Sequence, residues 1–272
     1  MRIGLLLIAS LIAGSLKAGE PVQAVRPRIS LIIDDLGNRM DLGLRALELP
    51  GPVSYAFLPH TPFAQRLAKR AHSQGKTVMV HLPMESDPPH RLGPDGLTAN
   101  QQRKEFRARA LRAIRAIPFA QGVNNHMGSR LTRERQPMEW LMQTLSEQGP
   151  MFFVDSRTTV HTVAEEIARR HGLPATRRDV FLDNQRESTS IEYQLRRLLV
   201  IARNKGHAVA IGHPYPETLT ALEHWLPDLR NRGFDLVAVE EIVRPEAPSP
   251  SGKSFALLHR LKDQHLMETE ER

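Results

Sequence analysis

Short apolar runs rich in β-branched residues alternate along this chain with longer amphipathic stretches, and polar residues collect where the runs end. The first run, 29–33, is apolar on both alternating faces save for Ser30, the pattern of a strand covered on both sides in a parallel sheet. The same reading predicts strands over 53–58, 77–80, 122–123, 151–154, 179–182, 207–211 and 235–239. Between them, a period of ~3.6 residues predicts helices over 40–49, 61–75, 98–117, 137–147, 159–171, 188–205 and 217–232. Several ends are marked. Pro62 follows Thr61 as a first-turn proline, Gln101 stands past Thr98 as a capping box, and Gly75, Gly172, Gly206 and Gly233 close helices.

Strands that alternate with helices lie parallel, because parallel neighbours need a long return connection. Seven or eight such units predict an α/β fold closed, or nearly closed, into a barrel. In that architecture chemistry gathers at the C-terminal strand ends. There the chain sets Asp34 and Asp35, His60, His81, Asn125 and His126, Asp155, Asp183 and His213. Their shared placement says more than any one of them.

One domain is expected over 29–244, after a linker at 19–28 and before a Pro/Ser-rich flexible tail at 245–272. A basic start, an apolar run over 3–16 and small residues near Ala18 resemble a secretory signal peptide at 1–18. The run is short for a spanning helix, which needs ~20 apolar residues. An uncleaved anchor is the second reading, and the expected location is periplasmic or secreted.

The chain has no cysteine, which excludes disulfides and thiolate metal sites; any metal must be held by nitrogen and oxygen. A net charge of +7 allows weak association with an anionic envelope surface. Aromatics are only 5% and do not interleave with basic residues, so nucleic acid is not an expected partner. The arginine-rich stretch 103–115 reads as the solvated face of an outer helix, with contact to anionic lipid or cell-wall polymer as the alternative. No Gly-x-Ser-x-Gly elbow, P-loop or dinucleotide fingerprint is present.

The candidate chemistry starts at Asp34 and Asp35. One Asp there would serve as a helix N-cap, but two adjacent like charges are costly unless a cation or proton lies between them. A hydrolytic metal site without cysteine uses His and carboxylate ligands and leaves one position open. Asp35, His81 and His126 are the expected set. Glu85, four positions past His81, would reach the same ion if that segment turned helically, although Pro83 stands between them. It is a fourth ligand, a support for one, or a helix-start acid.

The order of these features resembles the polysaccharide deacetylase family, in its divergent, exported bacterial branch, over about residues 29–243. Asp34-Asp35 resembles the first family motif, which implies Asp34 as general base and Asp35 as metal ligand. His81-Leu-Pro-Met-Glu85 falls where the family carries two histidines, and departs from it at Glu85; His126 resembles a substitute ligand. Asp155-Ser-Arg157 matches a motif with a charged orienting residue, which implies that Arg157 orients Asp34, a structural ion pair of Arg157 with Asp155 or Asp183 being the alternative. Gly212-His213-Pro214 resembles the motif whose histidine is the general acid. The resemblance implies a distorted (β/α)7-8 barrel of the polysaccharide deacetylase type. It also implies a divalent cation, expected to be zinc, and an N-acetylated oligo- or polysaccharide substrate that is deacetylated. Two rivals stand beside it: a catalytically weak or inactive sugar-binding protein on the same fold, and a metal hydrolase of another amide or ester.

Overall fold

The computed structural model describes residues 25–244. The signal-peptide, tail and most of the linker readings lie outside the described residues. Within them no helix is long and apolar enough to cross a membrane.

The strands are β1 (Arg28–Leu36), β2 (Ser54–Phe57), β3 (Thr77–Met84), β4 (Gly122–Met127), β5 (Phe152–Asp155), β6 (Ala175–Arg177), β7 (Val180–Phe181), β8 (His207–Gly212) and β9 (Asp235–Leu236). All pair in parallel. Their order is β6-β5-β4-β3-β2-β1-β8-β7, with β9 beside the start of β1. The sheet curls into the expected (β/α) barrel without a ladder between its ends. Those ends, β6 and β7, are consecutive in the chain, so Arg178 and Asp179 alone span the seam between them.

The helices are α1 (Met40–Leu47), α2 (Ala64–Ser73), α3 (Arg103–Arg115), α4 (Arg135–Ser146), α5 (Ala164–Arg170), α6 (Ser188–Lys205), α7 (Pro216–Trp225) and α8 (Val239–Val243). In α2 the buried side chains Ala64, Leu67, Ala68 and Ala71 fall one or two helical steps apart, the single stripe that an outer helix turns to a sheet. α3 buries Phe106, Ala110, Ala113 and Ile114 and leaves its arginines outside. Helices and sheet thus share one large core, with a smaller cluster around Ile32, Met79, Val154 and Ile211 inside the barrel.

The departures from the predicted elements have local causes. β6 and α8 were not predicted, being three and five residues long. β4 runs on through Asn124, Asn125 and His126, polar residues accommodated in the ladder because Asn124 bonds Asp34 and His81, Asn125 bonds Met127 O and the Ser156 amide, and His126 meets His81. The Thr98 amide does donate to Gln101 Oε1, yet α3 begins only at Arg103. Pro83 lies within β3, where β2 has already ended at the Phe57–Val80 pair. Its carbonyl instead accepts Leu97 N–H on that flank, and no ladder waits for the amide proton that proline lacks.

Candidate metal centre

Adjacent residues of a strand point to opposite faces, so Asp34 and Asp35 should not share a cleft. The backbone breaks the alternation. Asp35 has φ +57°, and the β1–β2 register shifts between Ile33 and Leu36. The next turn needs a glycine: at Gly37 φ is +123° and a Cβ would meet Thr61 Oγ1 at 2.0 Å. Met127 (φ +55°) and Arg157 (φ +49°) repeat the left-handed conformation on the same rim, a concentration of strain common at functional sites.

Three ligand atoms converge beside this kink. Asp35 Oδ1 lies 2.9 Å from His126 Nδ1 and 3.2 Å from His81 Nε2, and the two ring nitrogens are 3.1 Å apart. Atoms bound ~2.0–2.2 Å from one small divalent ion are separated by about this much. Asp35 Oδ1 is buried and has no aligned donor, an orphaned acceptor that a cation would satisfy. The donor set, one carboxylate and two imidazoles, therefore fits the expected ion.

Asn124 fixes the proton on His81. Its Nδ2 donates to Asp34 Oδ1 at 2.8 Å, so its Oδ1 must accept, and the partner at 2.8 Å is His81 Nδ1. His81 therefore carries hydrogen on Nδ1 and turns Nε2 to the centre. Burial pushes the Asp34 carboxyl up, against the pull of His81, His213 and Asn124. Burial also acts on Asp35, but there His126 and His81 prevail and hold the carboxyl well below the usual range. On His81 burial is likewise outweighed, by Asp34 and Asp35, and the imidazole rises to about 9.

His213 closes the far wall, its Nε2 3.7 Å from Asp35 Oδ2. Asp183, fully buried, accepts its Nδ1–H at 2.9 Å and its amide at 2.6 Å. Burial lowers the His213 pKa and Asp183 more than restores it, so the net direction is upward. The rings of Phe181 and Tyr215 flank His213 at 5.2 and 5.4 Å.

Two expectations need correction. Glu85 is not among the converging groups: its carboxylate accepts the Ala99 N–H at 2.8 Å and faces Arg130 at 3.4 Å. The segment stays extended through Met84, and four residues of strand span ~13 Å where a helix would bring them together. Arg157 is exposed and makes no bond to Asp34 or ion pair with Asp155 or Asp183; the group that touches Asp34 is Asn124. Sequence reasoning did not single out Asn124, Asp183 as partner of His213, or Arg178. Asp183 carried a signal in its place at a strand end, whereas nothing in the sequence marked Arg178.

A cleft of about 360 Å³ is lined by Asp34, His81, His126 and His213 together with Ser156, Arg157 and Arg178. Among proteins of known sequence, the model of the divergent polysaccharide deacetylase family matches residues 31–243. The uncharacterized protein YibQ of Escherichia coli K12 is 34% identical over 217 residues, 80% of this chain and 67% of that one. The crystal structure of an uncharacterized protein from Agrobacterium tumefaciens C58 is 26% identical, with a TM-score of 0.76 over 82% of this chain and 92% of its own. A CE4 family pseudoenzyme from Bacillus anthracis shares the fold alone, at 14% identity and a TM-score of 0.50 over 80% of this chain and 66% of its own.

Proposed function

The chain belongs to the divergent polysaccharide deacetylase family, and from that membership and the chemistry of its cleft we propose a specific activity. It is an exported, metal-dependent hydrolase that removes N-acetyl groups from an envelope or extracellular polysaccharide, with zinc as its ion. The observation that carries this reading is the triangle of Asp35, His81 and His126, with edges of 2.9–3.2 Å, beside a second, buried carboxylate. Export rests on the basic, apolar and small-residue pattern of 1–18.

Asp35, His81 and His126 would hold the ion, which supplies Lewis acidity and lowers the pKa of bound water toward ~7. Asp34 takes a proton from the attacking water, a task favoured by burial that raises its pKa. Asn124 holds one Asp34 oxygen and leaves Oδ2 to receive that proton. His213 donates a proton to the departing amine from Nε2, since Nδ1 is committed to Asp183. Opposed carboxylate and imidazole, each positioned by a buried amide or acid, divide base and acid between them.

A second reading is a sugar-binding protein with little turnover. It is favoured by Glu85, turned away where the family carries a second histidine, and by the fold shared with a CE4 pseudoenzyme. Metal content of the purified protein and acetate release from N-acetylated oligosaccharides decide between them. Bound metal with acetate release supports the hydrolase; saccharide binding without acetate release supports the second reading.

A further inference from the structure

Part of the cleft lining is not used by the chemistry above. Arg178 lies in the seam between β6 and β7, where its amide bonds Asp155 O at 2.9 Å. Its Nε donates to Ser156 O at 2.6 Å and its Nη2 to Arg157 O at 2.8 Å. The guanidinium lies 4.8 Å from the centre of the Phe181 ring. Five N–H donors are available to an arginine, and Nη1 bonds no protein atom here. Arg178 makes no ion pair with an acid among the described residues, although it lines the cleft beside Arg157, which makes none either.

A half-buried guanidinium is seldom left without a counter-charge. The acids nearby are committed. Asp34 is bonded to Asn124 and faces His81, and Asp155 accepts the Arg157 amide at 2.8 Å and Thr162 Oγ1 at 2.7 Å. Asp34 and Asp155 attract the Arg178 guanidinium without bonding it, so its Nη1 is left to meet a further anion. A second, independent feature lies alongside. Ser156 Oγ is buried in the same lining and has no hydrogen-bond partner. Burial lowers the Arg178 pKa against the pull of Asp34 and Asp155, and an incoming anion would add to that pull.

We propose that Arg178 and Ser156, with Arg157 at the rim, form a subsite for a carboxylate carried by the substrate. The protein then prefers an acidic N-acetylated polysaccharide to a neutral one. The proposal rests on the deacetylase reading only for the amide that shares the cleft. Recognition itself depends on the free end of a fixed guanidinium, the group best suited to the planar carboxylate.

The test is equilibrium binding by calorimetry to the zinc-supplemented protein. One pair of probes is a tetrasaccharide of alternating N-acetylglucosamine and glucuronate and its carboxyl-reduced, neutral form. A second pair carries the carboxylate as a lactyl ether on the N-acetylated ring itself, again with its reduced form. The acidic member of at least one pair should bind ~10-fold or more tightly than its neutral twin, as expected for a charge-assisted hydrogen bond. The ratio should fall toward one in Arg178→Gln, less far in Arg178→Lys, and by a smaller step in Ser156→Ala, which also serves if Arg178→Gln misfolds. Equal binding within both pairs, no binding by any probe, or a ratio unchanged in all the variants overturns the subsite. Acidic preference without acetate release would keep the subsite and overturn the hydrolase; acetate release from acidic and neutral forms at equal affinity would do the reverse.

Discussion

His213 Nδ1 lies 2.9 Å from Asp183 Oδ1, and the other oxygen of Asp183 accepts the amide of His213 itself and the hydroxyl of Thr218. One buried carboxylate thereby fixes the ring, the backbone before Pro214 and the first turn of α7. Asp183→Ala strands three donors at once. Stability should fall by ~3 kcal/mol and kcat by ~10²–10⁴, with saccharide affinity kept, because the ring loses its orientation and not its place in the wall. Denaturant unfolding and steady-state acetate release read the two effects separately.

The two aspartates of β1 should separate in their effects. Asp34→Asn keeps the acceptor for Asn124 and removes a charge that burial disfavours. It should leave metal content unchanged, lower kcat by ~10²–10⁴ and raise the melting temperature slightly. Asp35→Asn should lose metal and turnover together. Elemental analysis with thermal melts decides; metal loss in Asp34→Asn, or full metal content in Asp35→Asn, would reverse the assigned roles.

Glu85 gives the complementary expectation. Glu85→Ala frees the Ala99 amide and the Arg130 guanidinium, so the excursion that precedes α3 should loosen at ~1 kcal/mol of global stability. Metal content should not change, whereas His126→Ala should abolish it. A loss of metal in Glu85→Ala would restore it to the ligand set.

Burial raises the pKa of Asp155, against weaker pulls from Thr162 and the Arg157 amide. Its folded pKa therefore lies above the unfolded value of ~3.9, and the folded state holds the proton more tightly. The stability this contributes is complete below the unfolded pKa and is lost as pH rises through the folded one. Asp155→Asn keeps an acceptor for Arg157 and cannot ionise. Denaturant unfolding between ~pH 4 and ~pH 8 should show the difference, wild type minus variant, declining with pH; a flat difference would mean that Asp155 is not perturbed.

Much of the barrel was legible because parallel strands are apolar on both faces and their ends carry the charges. The residues 29–33, 53–58 and 207–211 fall within or overlap β1, β2 and β8 on this basis alone. Gly122-Val123 announced only the first part of β4, because the remainder is polar and becomes strand through partners on β1 and β3. Asp35, His81 and His126 could be picked out as residue types at strand ends. The φ of Asp35 that turns two neighbouring acids into one cleft could not, since aspartate gives no local sign of it. Asn124 and Arg178 were invisible for a related reason. Their importance lies in which atom each leaves free after its neighbours are served, and a linear pattern does not contain that.

The seam between β6 and β7 has a consequence for how the molecule behaves among its own copies. A curled sheet that fails to close leaves two edges, each able to recruit a foreign strand and begin aggregation. Here those edges are three and two residues long, and the chain crosses from one to the other through Arg178 and Asp179. Another chain would find too little free backbone to zip onto, so the open seam does not invite edge-to-edge stacking.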